Sequence, residues 1–118
     1  TYVFISHDLA VVESVATRVA VMYFGAVVEE ALARAMFRAP LHPYTKLLID
    51  SAPVPNRKRE RLAGDTGELP DPYDPPPGCP FAARCPRVEA DCREAMPPLE
   101  AKERGEGHRA ACFYPLAA

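Results

Sequence analysis

Several features are scarce or missing in this chain of 118 residues, and each absence excludes something. There is no basic excess: 14 Lys and Arg stand against 16 Asp and Glu, a net charge of −2, whereas a dedicated nucleic-acid binder usually carries surplus positive charge. No apolar run approaches the ~20 residues that a membrane helix needs. No Gly-Lys dipeptide occurs, so these residues contain no Gly-rich loop of the kind that cradles nucleotide phosphates. No secretory signal is visible, and a chain that begins at Thr1 without Met is silent about targeting. The first half has no cysteine and little proline: all four Cys lie from Cys79 onward, and ten of the 14 Pro from Pro70 onward. Regular structure is therefore expected in the first half. The second half reads as a loop-rich segment that something other than an apolar core must hold together.

Charge does not divide the chain. Residues 1–50 hold 4 basic and 5 acidic side chains, and residues 51–118 hold 10 and 11, so both halves net −1. Tyr2-Val3-Phe4-Ile5 has the apolar, β-rich composition of a buried strand, which Ser6-His7-Asp8 breaks. Leu9, Val12, Ala16 and Val19 recur at helical spacing, with Asp8 as N-cap, and predict a helix from about residue 9 to 17. The runs Arg18–Phe24 and Ala26–Glu30 around Gly25 predict two strands joined by a tight turn. A helical pattern resumes at Ala31 and is stopped by Pro40; Pro43-Tyr44 then opens a further helix that Pro53 and Pro55 end. Arg57-Lys58-Arg59-Glu60-Arg61 reads as a solvated linker, because Glu60 interrupts it and acidic residues follow. Residues 63–78, rich in Gly, Pro and Asp, read as irregular.

Three motifs carry possible chemistry. In Ser6-His7-Asp8-Leu9 a His stands where a strand hands over to a helix, the end of an α/β sheet at which ligands bind; the plain alternative is a turn His that touches only backbone or water. In Leu41-His42-Pro43-Tyr44-Thr45, His42 caps the helix or faces solvent, and Tyr44 packs. The third is the set Cys79, Cys85, Cys92 and Cys112, spaced C-x5-C-x6-C-x19-C. Two disulfides suit an oxidising compartment. Structural zinc usually shows tighter C-x2–4-C knuckles, although His108 can join a Cys/His zinc site. A 4Fe–4S cluster takes four thiolates from loops of varied length. Free buried thiols are the fourth possibility, and spacing alone does not decide between zinc and iron–sulfur.

The stretch Val3-Phe4-Ile5, Ser6-His7-Asp8-Leu9 and Val21-Met22-Tyr23-Phe24-Gly25 to Val28-Glu29-Glu30 resembles the end of the ATP-binding subunit of ABC transporters. His-Pro-Tyr-Thr at residues 42–45 narrows this to subunits of oligopeptide and dipeptide importers and a related nickel group. Gly67-Glu68-Leu69-Pro70, Pro77-Gly78-Cys79-Pro80-Phe81, Arg84-Cys85-Pro86, Cys92 and His108-Arg109-x-x-Cys112 follow the tail of the same family. Thr17-Arg18 and Ala31 depart from its usual Asp-Arg and Gly.

The resemblance implies an α/β fold: residues 1–30 as the C-terminal end of a P-loop ABC ATPase core, and residues 31–118 as a small loop-rich, Pro- and Cys-rich extension. His7 is then the switch histidine, which contacts the γ-phosphate of ATP and helps to position the attacking water. Phosphoryl transfer needs such positioning and charge stabilisation rather than covalent chemistry. Cys79, Cys85, Cys92 and Cys112 are implied to hold a 4Fe–4S cluster, as some members do, with zinc as the alternative. The missing phosphate loop, the missing Gly-Gly of the family's signature loop, and an acidic pair that follows His7 rather than preceding it imply that most of the nucleotide site lies before Thr1. The whole subunit is expected to bind ATP and Mg, to pair with a second ATP-binding subunit, and to serve membrane permeases from the cytoplasmic face. No nucleic acid is expected as partner, and this fragment alone is expected to be inactive. The rival expectation is a free-standing zinc-binding interaction module.

Overall fold

The computed structural model describes residues 1–52, 69–102 and 107–116. Asp8 caps α1 (Leu9–Val15), its Oδ1 accepting from the N–H groups of Ala10 and Val11 at 3.1 and 3.4 Å. β1 (Arg18–Tyr23) and β2 (Ala26–Leu32) form an antiparallel hairpin. Its two-residue turn, Phe24-Gly25, has both φ angles positive (51° and 80°), the conformation whose twist matches that of paired strands. α2 (Ala33–Arg38) and α3 (Pro43–Ser51) follow, close to the expected spans. Pro43 opens α3 at a position where no N–H is required.

Tyr2–Ile5 forms no strand. Tyr2 and Ile5 are each 99% exposed, and no described segment pairs with them. The local preference of an apolar run makes a strand only when a neighbour supplies the ladder. The expected linker at residues 57–61, and residues 63–68 of the expected irregular stretch, lie outside the described residues.

The cysteine-bearing half has more regular structure than its composition suggested: α4 (Ala90–Glu94), β3 (Glu100–Ala101) and β4 (Arg109–Ala110). β4 pairs with both β3 and β2, giving one antiparallel sheet in the order β1-β2-β4-β3. The architecture is thus a mixed one of short helices and an antiparallel sheet, stitched across the whole length of the chain. Leu116 N–H reaches Leu41 O at 2.8 Å, which ties down the end of the described chain.

The register of the hairpin slips between Val21 and Met22, leaving Val28 without a partner on β1. Such a bulge breaks the strict in–out alternation. As a result Val28 and Glu29, although adjacent, are both fully buried. Val28 joins Tyr23, Leu47, Cys79, Phe81, Ala82 and Cys92 in the core. The late segment therefore does not rely on its own apolar residues alone. Phe81, 1% exposed, lies against Tyr23 and Tyr44 with ring centroids 5.4 Å away in each case. Burying a side chain of that size contributes about 1.5–3 kcal/mol.

Candidate functional site

Cys79 and Cys85, at the two ends of one coiled stretch, Cys92 on α4 and Cys112 beyond β4 line one cavity, together with His42, Pro43 and Phe81. All four are free thiols. Gly78 brings the first and third together. A Cβ there would stand 2.2 Å from Cys92 O, so only glycine lets this backbone approach α4, and Cys79 N–H then reaches Cys92 O at 2.7 Å. From Cys79 the chain coils in successive turns: Ala82 N–H to Cys79 O at 3.0 Å, Arg84 N–H to Phe81 O at 2.9 Å and Cys85 N–H to Ala82 O at 3.4 Å.

Arg87 N–H donates to Cys85 Sγ at 3.4 Å. Burial nevertheless pushes the thiols of Cys79 and Cys85 up, and that of Cys112 to about 11, with the neighbouring cysteines adding to the rise. Without a cation these groups stay protonated. The space between them is about 20 Å³, room for about one water. Among the described residues no three His, Cys, Asp or Glu side chains close on a common point as a single metal ion requires.

His42 is the N-cap of α3, its Nδ1 accepting from Tyr44 N–H at 3.0 Å. It does not face solvent: it is 1% exposed, and burial lowers its pKa to about 4, so the ring is neutral. His108 does not turn to the thiols. Its Nε2 lies 2.7 Å from Glu29 Oε1, both side chains being buried. His108 is not among the residues that line the cysteine cavity, and no group joining it to the cysteines is formed among the described residues.

Sequence reasoning missed Glu29. Its carboxylate accepts from Leu41 N–H at 2.9 Å and from His42 N–H at 2.8 Å, and it meets His108 as well. One buried side chain thus joins the hairpin, the turn before α3 and the strand that leads to Cys112. The available signal was the acidic pair that follows an apolar run; the bulge that turns one of the two inward has no sequence signature here. Glu30, by contrast, faces outward between Arg18, at 2.8 Å, and Arg109, and these guanidiniums hold its carboxyl below the usual carboxylate range.

His7 is exposed in the bend before α1 and lies in neither the cysteine cavity nor the second, more open one beside Pro70 and Arg93. No described residue surrounds it with the donors of a phosphate site. No helix among the described residues is long and apolar enough to cross a membrane.

Comparison with known proteins extends over nearly the whole chain. A dipeptide transport ATP-binding protein of Haemophilus influenzae is 47% identical over 116 residues, which cover 97% of this chain and 35% of that protein. The dipeptide transport ATP-binding protein DppF of Escherichia coli is 48% identical over 115 residues, 96% and 33% of the two chains. An oligopeptide transport ATP-binding protein of Bacillus subtilis is 46% identical over 116 residues, 95% and 34%. The chain spans about a third of the length of these curated relatives. The free-standing zinc module finds no support in these matches. The family described as oligopeptide/dipeptide transporter, C-terminal region, matches residues 28–92, which include most of the hairpin's second strand, the His-Pro-Tyr-Thr turn and three of the four cysteines, and the chain belongs to that family.

Proposed function

We infer that this chain is the C-terminal part of the ATP-binding subunit of an ABC importer for peptides or related solutes such as nickel. The observation that carries this reading is the family match together with identity near one half to peptide-transport ATP-binding proteins along almost all of the chain. Residues 1–30 complete a P-loop ATPase core, and residues 31–118 form the family's extension. The whole subunit binds ATP and Mg, pairs with a second ATP-binding subunit and sits peripherally on the cytoplasmic face against membrane permeases. His7 contacts the γ-phosphate there and orients the attacking water. The fragment alone has no phosphate loop and does not hydrolyse ATP. The test is to express the subunit from its complete reading frame and reconstitute it with its permeases in vesicles. ATP hydrolysis coupled to peptide uptake is expected, and a subunit that neither binds nor hydrolyses ATP overturns the reading.

The four cysteines belong to the same proposal, as ligands of a 4Fe–4S cluster. Four thiols around one cavity, with an N–H group donating to the sulfur of Cys85, suit a thiolate-bound group. The loops that carry them must open around a cluster, since the space between is small. When bound, the cluster supplies a cross-link among four chain segments and a centre that exchanges one electron. Cys79, Cys85, Cys92 and Cys112 would hold it, Phe81 would lie beside it and the Arg87 N–H would donate to one of its ligands. Anaerobically prepared subunit is expected to be brown, to absorb broadly near ~400 nm and to contain about four iron per chain. Stoichiometric zinc with no iron, when iron and sulfide are available, rejects the cluster.

A further inference from the structure

The walls of the cysteine cavity are not equally embedded. Cys79, Phe81, Ala82 and Cys92 belong to the core, and Cys79 N–H bonds Cys92 O at 2.7 Å, so these walls move only if the core opens. The segment after β4 differs. Cys112, Phe113 and Tyr114 line the same cavity in succession, yet Phe113 and Tyr114 are each 38% exposed and Cys112 is only partly buried.

This segment is fixed at its start and tied down further on. Ala111 is buried, and its N–H donates to Val28 O at 2.8 Å, which holds it to the hairpin. Beyond it, Tyr114 OH donates to Asp91 Oδ2 at 2.8 Å, on the residue that precedes Cys92 in α4. The other oxygen of that carboxylate is buried without a partner, so among the described residues Tyr114 is the hydrogen-bond donor that Asp91 has. Leu116 N–H donates to Leu41 O at 2.8 Å, on the turn before α3. Pro115 restricts the backbone of Tyr114, which stiffens the segment between these ties. Exposed hydrogen bonds with few buried contacts around them open more readily than a core does.

We propose that residues 112–116 form a strap that closes the four-cysteine cavity, hinged at Ala111 and latched by Tyr114 on Asp91, and that its lifting is the route by which solutes reach the thiols. Burial pushes the Cys112 thiol to about 11, and a thiol that stays protonated reacts slowly while the strap lies down. Lifting returns it to water, so its alkylation counts the openings. The device goes beyond the transporter reading and needs no bound group.

The test uses the intact subunit, reduced and treated with a chelator so that all four thiols are free. Iodoacetamide labelling at each cysteine is followed by peptide mass spectrometry, with amide hydrogen exchange on the same samples. In wild type, Cys112 is expected to react before Cys79 and Cys92. Tyr114→Phe removes only the hydroxyl, and is expected to speed alkylation of Cys112 about tenfold, the effect of losing one hydrogen bond on a rapidly opening equilibrium. Exchange at Leu116 should rise with it, while the N–H groups of Ala111 and Cys79 keep their protection. An unchanged Cys112 rate overturns the latch. Leu116, Ala111 and Cys79 exchanging together in wild type overturns the strap, because the thiols would then be reached by opening of the core. If Tyr114→Phe does not fold, Asp91→Asn weakens the same latch from its other side and is judged by the same rates.

Discussion

His7 and His42 stand in similar local settings, each at the entry to a short helix whose cap bonds a backbone N–H. Their surroundings are opposite. His7 is exposed, and no described segment packs around it, whereas His42 is buried between Phe81, the Glu29 carboxylate and the cysteine cavity. The same residue type at the same kind of turn serves two ends. His42 finds its partners within the fold, whereas the phosphate contact proposed for His7 depends on partners outside the described residues. The same contrast separates Tyr2–Ile5, an apolar run left without a sheet, from the late segment, which has few large apolar residues and still builds a core by adding Phe81 and two cysteines to Tyr23 and Leu47.

The sharpest way to break this contrast is to truncate both histidines in the intact subunit. His7→Ala is expected to lower ATP hydrolysis by two to three decades, about 3–4 kcal/mol of transition-state stabilisation, while nucleotide binding and melting temperature stay near wild type. His42→Ala is expected to do the reverse, lowering stability by about 3 kcal/mol through a lost cap and a new cavity. Turnover near wild type in His7→Ala sinks its assignment. Steady-state hydrolysis and thermal melting of the two variants side by side are the measurements.

Glu29→Ala probes the internal half of the contrast. It strands two buried backbone donors and His108, and the expected loss is about 3–5 kcal/mol, the range for breaking a buried charged network. The damage should spread to hydrogen exchange at Leu41, His42 and Ala110 together; protection lost at only one of these would mean that Glu29 does not join the three segments. Gly78→Ala should act more locally. Its methyl group would press on Cys92 O and Arg93, and overpacking of this kind costs about 1–3 kcal/mol. Iron retention measured in this variant should fall, because the Cys79–Cys92 approach is what the glycine permits; unchanged retention would separate that approach from metal binding.

The smallest effect is expected at the outward-facing neighbour of Glu29. Arg18→Ala removes one of the two guanidiniums at Glu30 and should change stability by no more than about 1 kcal/mol, since solvent screens the pair. Arg18 and Arg109 depress the carboxyl of Glu30 in the folded state, so its contribution is complete above the ordinary carboxylate range and disappears as pH falls through the folded value. Denaturant midpoints at neutral and acid pH should therefore converge between wild type and Arg18→Ala as the solution is acidified. A gap that persists in acid would assign the effect to packing of the Arg18 stem instead.

Local chemistry made much of this legible in the sequence. The Asp8 cap, the Phe24-Gly25 turn, the Pro43 helix start and the clustering of four cysteines each depend on one residue and its immediate neighbours, or on the limited ways thiols are used. The family, too, was legible, because short motifs such as His42–Thr45 keep their spacing along the chain. Tertiary structure alone decided the rest. Whether Tyr2–Ile5 becomes a strand depends on a neighbour that the run does not contain. Which of Glu29 and Glu30 turns inward depends on a one-residue bulge, for which an acidic pair gives no sign. His108 looked like a possible ligand beside Cys112, and it turns away because a carboxylate 79 residues earlier in the chain accepts its Nε2 at 2.7 Å. β4 closes a sheet begun by β2 although only two residues of each strand pair. These outcomes rest on contacts between residues far apart in sequence, and a sequence pattern records the preference of each segment without recording which partner it meets.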